Sequence, residues 1–542
     1  APERLFLDGF LQQLESRDIG AFAIDEAHCI SQWGHDFRPE YRRLRELRAR
    51  FDGVPFHAFT ATATPRVQED IKRQLSLREP EVLIGTFDRP NLTYRVLPRV
   101  DLNQQVADAV RRHPDAAAIV YCISRKDTEG LAESLQSRGI DAEAYHAGLD
   151  ATTRTRISER FKKEELHVVV ATVAFGMGID RGDVRCVIHA AMPKSIEHYQ
   201  QETGRAGRDG LEAECVLLHS PADAIRWEGL MRRSIDESEG DRDALEVAFE
   251  AQRKLLRDMQ RLCSGVTCRH RALCSYFGQA WEGEGPEPPC GACDCCLGEI
   301  ELLHDATLAA RQILSAVARV QQRFGAKHVA EVLHGADGES IRSWNHSALS
   351  VYGLMRDRPA AAIQNLIYQL VDQGYLASTG GERPVVTLTP LSMPVMRGEA
   401  EVTLLRPRIK SKATKSAVAE AGWKGVDREL FETLRQLRRA IANRIGKPPY
   451  VVFADETLRE MARRRPSSLD GFAQLRGVGA RKLKDYGAEF LAAIDQSSRE
   501  RGLGRDMDDH DGSARGAGGL GAARRSFRRS RGESEEGVTW AE

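Results

Sequence analysis

Ile19-Gly-Ala-Phe-Ala-Ile-Asp-Glu-Ala-His-Cys29 is the stretch on which the reading of this chain turns. An apolar run ends in two adjacent carboxylates, Asp25 and Glu26, and His28 follows. A short apolar run stopped by acids at a turn predicts a buried parallel strand over 21–24 that delivers carboxylates to the carboxyl edge of a sheet. In a nucleotide-hydrolysing α/β domain the first acid there holds Mg²⁺ and the second polarises the attacking water. An ordinary core strand entering an acidic turn is the alternative, and these residues alone do not separate the two.

Outward from that strand the alternation continues. Residues 5–14 and 41–51 predict helices, and 55–60 predicts a second buried strand ending in Phe59-Thr-Ala-Thr-Ala-Thr-Pro65. Pro65 opens a helix over 66–75, as proline does at a first turn. The hydroxyls of Thr60 and Thr62 either bridge to a neighbouring carboxylate and transmit movement or cap that helix. Between the strands, Trp33, Phe37 and Tyr41 are mixed with Gly34, His35, Asp36 and Arg38. Exposed aromatics beside a cation are what single-stranded nucleic acid stacks on; a packed Ω-loop is the plainer reading. From 94 to 221 a second unit alternates strands at 117–121, 141–145, 166–172 and 184–190 with helices at 127–138 and 152–163. That spacing predicts a parallel, doubly wound sheet. It closes on Gln201-Glu-Thr-Gly-Arg-Ala-Gly-Arg208, where Arg205 and Arg208, three apart, are expected on one side of a helical turn. Two forked guanidiniums there suit a polyphosphate.

At 542 residues the chain holds several domains. Its net charge of −1 does not advertise nucleic acid, but the distribution does in part. Arg406, Arg408, Lys410, Lys412, Lys415 and Lys424 face only Glu420, and the tail beyond Asp506 alternates acidic and basic blocks. Such blocks predict a solvated, disordered tail, with a basic arm on phosphates as the sharper reading. No apolar run is long enough to span a bilayer and no charged-then-apolar leader is present, so no membrane partner and a cytoplasmic location are expected. The abrupt start at Ala1-Pro-Glu-Arg-Leu reads as a fragment or a processed product.

Of eleven cysteines, Cys263, Cys268, Cys274, Cys290, Cys293, Cys295 and Cys296 are clustered, which favours metal over a disulfide framework. Cys-x₂-Cys-x₂-Cys plus one remote cysteine fits Zn²⁺ held by four thiolates. Spacing chooses neither the remote ligand among Cys263, Cys268 and Cys274 nor between Cys295 and Cys296. Residues 222–262 read as amphipathic helices. Residues 305–404 read as helices closed by a small hairpin, the winged-helix arrangement of a duplex reader. The hairpin tip, Thr379–Arg383, has no aromatic, so a strand-separating pin of the stacking type is not expected. Residues 427–494 are all helix, and Gly477 and Gly479 open the last one beside Arg481, Lys482 and Lys484. That is an anion site or a tight helix–helix turn.

Asp-Glu-Ala-His at 25–28, Thr-Ala-Thr-Ala-Thr at 60–64 and the segment at 201–208 are similar to motifs II, III and VI of superfamily 2 helicases. The loop at 31–41 resembles the aromatic-rich loop of RecQ-type DNA helicases, and 174–180 resembles their motif V. Thr-Cys-Arg-His at 267–270 with Cys-Gly-Ala-Cys-Asp-Cys-Cys at 290–296 is similar to their zinc pattern, and 323–335 to their C-terminal domain. The likeness runs to about residue 496 through a helical region that looks like an HRDC domain. One departure is Gln200, where the family often has a second tyrosine after Tyr199.

The resemblance implies an architecture and a set of roles. RecA-like α/β lobes with parallel doubly wound sheets occupy 1–93, the incomplete first lobe, and 94–221, the second. A zinc-binding helical module (222–300), a winged helix (301–404), a basic linker (405–426), an all-α HRDC domain (427–496) and a disordered charged tail (497–542) follow. The implied activity is ATP-dependent 3′→5′ DNA unwinding in repair, recombination and replication. Asp25 would hold Mg²⁺ with ATP, Glu26 would activate water, and His28 with Thr60 and Thr62 would couple hydrolysis to DNA. Gly178, Asp180, Gln201, Arg205 and Arg208 would face the nucleotide from the second lobe. Trp33, His35, Phe37, Arg38, Arg481, Lys482 and Lys484 would meet DNA, and Cys268, Cys290, Cys293 and Cys296 would hold structural Zn²⁺. DNA and ATP are the implied partners, with a single-strand-binding protein or other repair proteins as further candidates.

The chain contains no Gly-x-x-x-x-Gly-Lys-Ser/Thr; the nearest candidate, Gly446-Lys447-Pro-Pro, lacks the hydroxyl. Residues 2–5 resemble the segment that follows that motif in the family, so the phosphate-cradling part is expected upstream of Ala1. Half an ATP site reads either as a piece of a helicase or as a DNA-binding scaffold without ATPase activity. An RNA helicase of the same superfamily would account for 25–28 and 201–208, but not for the loop at 31–41, the cysteines or the winged helix.

Overall fold

The computed structural model describes residues 2–6, 9–34, 36–114, 116–173, 175, 181–220, 222–237, 242–265, 267–281, 289–379, 385–407 and 423–507. His35, Gly178, Asp180, the hairpin tip 380–384, most of the basic linker (408–422) and the tail from 508 lie outside the described residues. Two compact units divide the chain, 1–418 and 419–542. Among the described residues no helix is long and apolar enough to cross a membrane.

The first part of the larger unit comprises α1 (Pro2–Leu5), α2 (Phe10–Glu15), β1 (Phe22–Ile24), α3 (Pro39–Arg42), α4 (Leu44–Arg50), β2 (Phe56–Ala58) and α5 (Pro65–Gln74). β1 and β2 pair in parallel with Phe22 opposite Phe56. The expected burial of β1 is not what is found: Ile24 is buried, Phe22 half-buried and Ala23 exposed. The reason is geometric. Among the described residues the sheet has two strands, and its core partners Leu44, Leu47, Val67 and Ile71 all come from α4 and α5.

The second α/β unit holds β3 (Leu92–Pro98), α6 (Leu102–Arg111), β4 (Ala117–Tyr121), α7 (Arg125–Gln136), β5 (Ala142–Tyr145), α8 (Ala151–Lys162), β6 (Val168–Ala171), β7 (Val184–His189), α9 (Ile196–Thr203) and β8 (Ala213–His219). Its strands lie in the order β3-β8-β7-β4-β6-β5, every pair parallel. β4 and β6 are buried at every position, as β-branched runs covered on both faces must be. Asp101, Ser124, Asp150 and Ser195 each accept a backbone N–H at a helix start, worth about 1 kcal/mol apiece.

α10 (Ala222–Asp236), α11 (Arg242–Ser264) and α12 (Arg269–Tyr276) lead to the cysteine-rich turn. That turn lies along β3: the Tyr94 N–H donates to Ala292 O at 3.0 Å and Asp294 N–H to Tyr94 O at 2.9 Å. Asp294, fully buried, also accepts from Val96 N–H at 2.9 Å and from Arg269 at 2.9 and 3.1 Å. Arg95 grips Glu299 with two bonds of 2.8 Å.

The winged helix is built from β9 (Ile300–Leu302), α13 (Ala306–Arg319), α14 (Ala326–His334), α15 (Glu339–Ser343), α16 (Ala360–Asp372), β10 (Leu376–Ser378), β11 (Val386–Leu388), α17 (Ser392–Arg397) and β12 (Leu405–Pro407). β10 and β11 form the hairpin, and β12 pairs with β9. α13 ends at Arg319, and just beyond it Gln321 and Gln322 adopt left-handed backbone. α16 carries no Lys or Arg, and Gln369 on it both donates to Leu405 O and accepts from Leu405 N–H.

The smaller unit packs α18 (Arg428–Ile445), α19 (Pro449–Val452), α20 (Asp455–Arg464), α21 (Leu469–Ala473) and α22 (Ala480–Arg501) around Leu434, Ile441, Phe453, Met461, Phe472 and Phe490. The expectation of a disordered tail from 497 fails at its start. α22 runs to Arg501 with Ser497 and Ser498 buried, and Asp506 and Met507 donate backbone bonds to Arg465 and Arg464.

Candidate nucleotide site, aromatic loop and metal centre

β1 ends by turning sharply. Asp25 accepts the Glu26 N–H at 2.8 Å, and Glu26 takes a left-handed backbone, φ 49° and ψ 42°. A non-glycine residue held there costs on the order of 1–3 kcal/mol and marks a position fixed by more than local preference. The turn leaves Asp25 exposed and half-buries Glu26. Burial and the neighbouring Asp25 push the Glu26 carboxyl above its ordinary range, and Arg205 pulls it back. His28 Nδ1 lies 3.3 Å from Glu26 Oε2 and 2.9 Å from Thr60 Oγ1. Burial holds the His28 pKa down at about 4, so at neutral pH it is uncharged, hydrogen-bonded to Thr60 and in contact with Glu26. Thr60 Oγ1 accepts from the Thr62 N–H at 3.3 Å, and the Thr62 hydroxyl is buried with no partner among the described residues.

From the second lobe, Gln201 Nε2 donates to Glu26 Oε1 at 3.5 Å. Arg205 is buried, bonds the Tyr121 hydroxyl and is felt by Glu26. The expected placement of Arg205 and Arg208 on a helical turn is corrected. α9 ends at Thr203, so the two lie in the turns beyond it, Arg205 inward and Arg208 exposed with its Nε 3.4 Å from Gly204 O. Gly207 makes that turn possible at φ 54°, where a Cβ would meet Asn91 and Leu211 O at 2.5 Å. Arg89 donates to Ala206 O and Gly207 O, and Asn91 to Gly207 O and Leu211 O. These two residues position the turn from outside the motifs read in the sequence; Asp-Arg-Pro-Asn at 88–91 is their signal.

The aromatic loop is less open than expected. Trp33 packs on the first-lobe core with the Arg66 guanidinium 3.4 Å from its ring centroid, so one face is taken. Tyr41 packs there too, whereas Phe37 is exposed beneath Arg42, and Arg38 is paired with Asp36 at 2.8 Å. Arg66 lies on α5, directly after the threonines, so loop and threonines share one helix.

Cys268, Cys290, Cys293 and Cys296 have sulfurs within 4.8 Å of one another. A tetrahedron of about 2.3 Å Zn–S bonds needs sulfurs roughly 3.8 Å apart, so the set fits Zn²⁺. Cys295 Sγ, 3.4 Å from Thr267 O, lies near Cys293 but outside this set of four, so the fold brings together Cys268 and Cys296 where spacing left a choice. Gly291 supplies the left-handed corner, φ 67°, and backbone N–H groups reach Cys290 Sγ at 3.3 Å and Cys293 Sγ at 3.4 Å. In the smaller unit Arg481 and Lys484 are exposed, but Lys482 lies over the Phe453 ring at 5.6 Å and burial lowers its pKa. Lys482 is thus half-buried against the core, unlike its two exposed neighbours.

Comparison with known proteins follows this geometry. Residues 101–210 match the helicase conserved C-terminal domain, 221–297 the RecQ zinc-binding domain, 302–413 the RQC domain and 427–494 the HRDC domain. The chain is 40% identical over 499 residues to the ATP-dependent DNA helicase RecQ of Haemophilus influenzae, spanning 92% of this chain and 78% of that one. It is 38% identical over 500 residues to the RecQ helicases of Pasteurella multocida and Bacillus subtilis, spanning 92% of this chain and 77% and 80% of theirs.

Proposed function

The chain belongs to the RecQ family of ATP-dependent DNA helicases, and we propose how its own residues divide that work. RecQ-type helicase function and a structural zinc come with membership. Asp25, exposed at the strand's end with one oxygen free of the Glu26 N–H, would hold the Mg²⁺ that accompanies ATP; a hard carboxylate oxygen suits that ion. Bound Mg²⁺ supplies charge neutralisation at the phosphates. Glu26, its proton affinity raised, takes up the proton of the attacking water. Gln201 orients Glu26 from the other lobe, and Arg205 with Arg208 faces the phosphates. His28, neutral, passes a change at Glu26 to Thr60 and so to α5, on which Trp33 rests. DNA is met by Phe37 and Arg38, and by the free face of Trp33. Movement is 3′→5′, the setting is DNA repair and recombination in the cytoplasm, and a single-strand-binding protein is the expected protein partner.

The contact of Gln201 with Glu26 across the lobes carries this reading. Residues 1–542 contain no phosphate-loop motif, so the purified polypeptide is expected to bind DNA without releasing phosphate. Joined at Ala1 to the phosphate-loop segment of a RecQ relative, it is expected to gain DNA-stimulated hydrolysis, which Glu26→Gln lowers at least roughly 10²-fold. Hydrolysis indifferent to that substitution would falsify the role of Glu26.

A further inference from the structure

Trp344 follows α15 in the winged helix and is 57% exposed, yet it is held from beneath by an aromatic stack. Phe324 meets it edge-on at 5.3 Å and 83°, and His346 lies at 6.5 Å and 27°. Phe324 stacks on His328 at 4.2 Å and 21°, and His328 Nε2 and His346 Nδ1 share a hydrogen bond of 2.8 Å. Asn345, between Trp344 and His346, takes a left-handed backbone (φ 54°) that lets both rings lie nearly parallel. The stack is tied to the hairpin: Phe324 O accepts the Val386 N–H at 3.0 Å, and Gln322 Oε1 the Leu388 N–H at 2.8 Å.

The surround is polar. Ser343, Asn345, Ser347, Arg323 and Lys327 are exposed, and the acids Glu331 and Asp337 face Lys327 and Arg342. Glu339, also exposed, opens α15. A rigid indole in a polar rim, with Arg323, Lys327 and Arg342 balanced by Glu331, Asp337 and Glu339, suits the flat face of a base, whereas a protein groove would be lined by apolar side chains. Elsewhere in this domain the usual readers are not free. α16 has no cation and its Gln369 is occupied by β12, the hairpin-tip sequence has no aromatic, and among the described residues 289–407 Trp344 is the exposed aromatic.

We propose that Trp344 is a stacking platform for an unpaired DNA base, presented by the winged helix at the junction of single strand and duplex. This deepens the RecQ reading and rests on it. The test compares the full chain with Trp344→Ala and Trp344→Phe on a tailed duplex and a blunt duplex of the same sequence, by fluorescence anisotropy. Trp344→Ala is expected to weaken the tailed duplex about tenfold and the blunt one less than about twofold, with Trp344→Phe recovering most of the loss. 5-Iodouracil at the first unpaired positions is expected to photocrosslink to Trp344 in the unmodified chain. Equal loss on both duplexes, no loss on either, or crosslinks confined to other residues overturns the proposal. If Trp344→Ala melts lower than the parent, the phenylalanine variant and the crosslink decide. A parent chain that binds neither DNA breaks the proposed DNA-contact reading instead.

Discussion

Toward the first lobe, the second lobe presents Gln201 at 3.5 Å from Glu26 and the buried Arg205. Toward the zinc module it presents β3, whose backbone is bonded to Ala292 and Asp294 and whose neighbour Asp294 is locked by Arg269. The first seam is a few long polar side chains meeting across a gap. The second is backbone pairing, the Val96 N–H on the buried Asp294 carboxylate, and the Arg95–Glu299 pair with side chains 16% and 18% exposed. Long polar contacts are lost and remade at small cost, whereas opening the second seam would leave the buried backbone groups of Tyr94 and Val96 without partners. The zinc module is therefore tied to the second lobe more firmly than the first lobe is.

The largest effect expected from breaking the rigid seam is metal loss. Structural zinc sites contribute roughly 10–16 kcal/mol of binding that is also folding free energy. Chelation, or Cys293→Ser, should therefore unfold the module, read as a lost upper melting transition and as newly exchanging amides in β3. A seam whose β3 amides stay protected after chelation would not depend on metal. Next comes Asp294→Ala, which leaves Arg269 buried and uncompensated at a cost of about 3–5 kcal/mol; denaturant titration measures it.

Glu214 tests the same side by pH. Burial alone would raise its pKa, but bonds from His113 and Arg112 and the charge of Arg95 hold it at about 2. A carboxyl lowered from 4.5 to about 2 contributes about 3 kcal/mol above pH 4.5. That contribution is lost as pH falls from 4.5 toward 2, so Glu214→Gln and the parent should converge in stability near pH 2. A gap that persists there would assign the effect to packing. The smallest change belongs to the adjustable side and has the opposite sign. Thr62→Val removes a buried, unpartnered hydroxyl and should stabilise by about 1 kcal/mol. In the polypeptide completed with a phosphate loop it should weaken stimulation by DNA; destabilisation would show that the hydroxyl is bonded after all.

What could be read from the sequence was whatever a short, one-dimensional pattern can encode. The β-branched runs at 117–121, 168–171 and 184–189 declare a sheet buried on both faces, and the acids ending β1 are local. Cysteine spacing indicates a metal but not the full ligand set, because the fold of the turn against α12 sets which sulfurs gather with Cys290 and Cys293. Trp33 looked like a free platform because nothing nearby predicts Arg66 on its face. Arg205 and Arg208 looked equivalent until the end of α9 at Thr203 sent one inward and one outward. Lys482 also lies over Phe453, a contact that its neighbours in sequence do not announce. In each case the deciding partner is distant in sequence, which periodicity and spacing do not report.

The backbone bonds between β3 and the cysteine-rich turn bear on where this polypeptide can be divided. β3 is the outermost strand of the six, and a bare outermost strand is a template for intermolecular pairing. A truncation ending near residue 221, at the border of the α/β fold, would uncover it and yield aggregates. The shortest soluble product of limited proteolysis that contains this sheet should therefore keep its partner segment through Glu299, whose carboxylate still clasps Arg95.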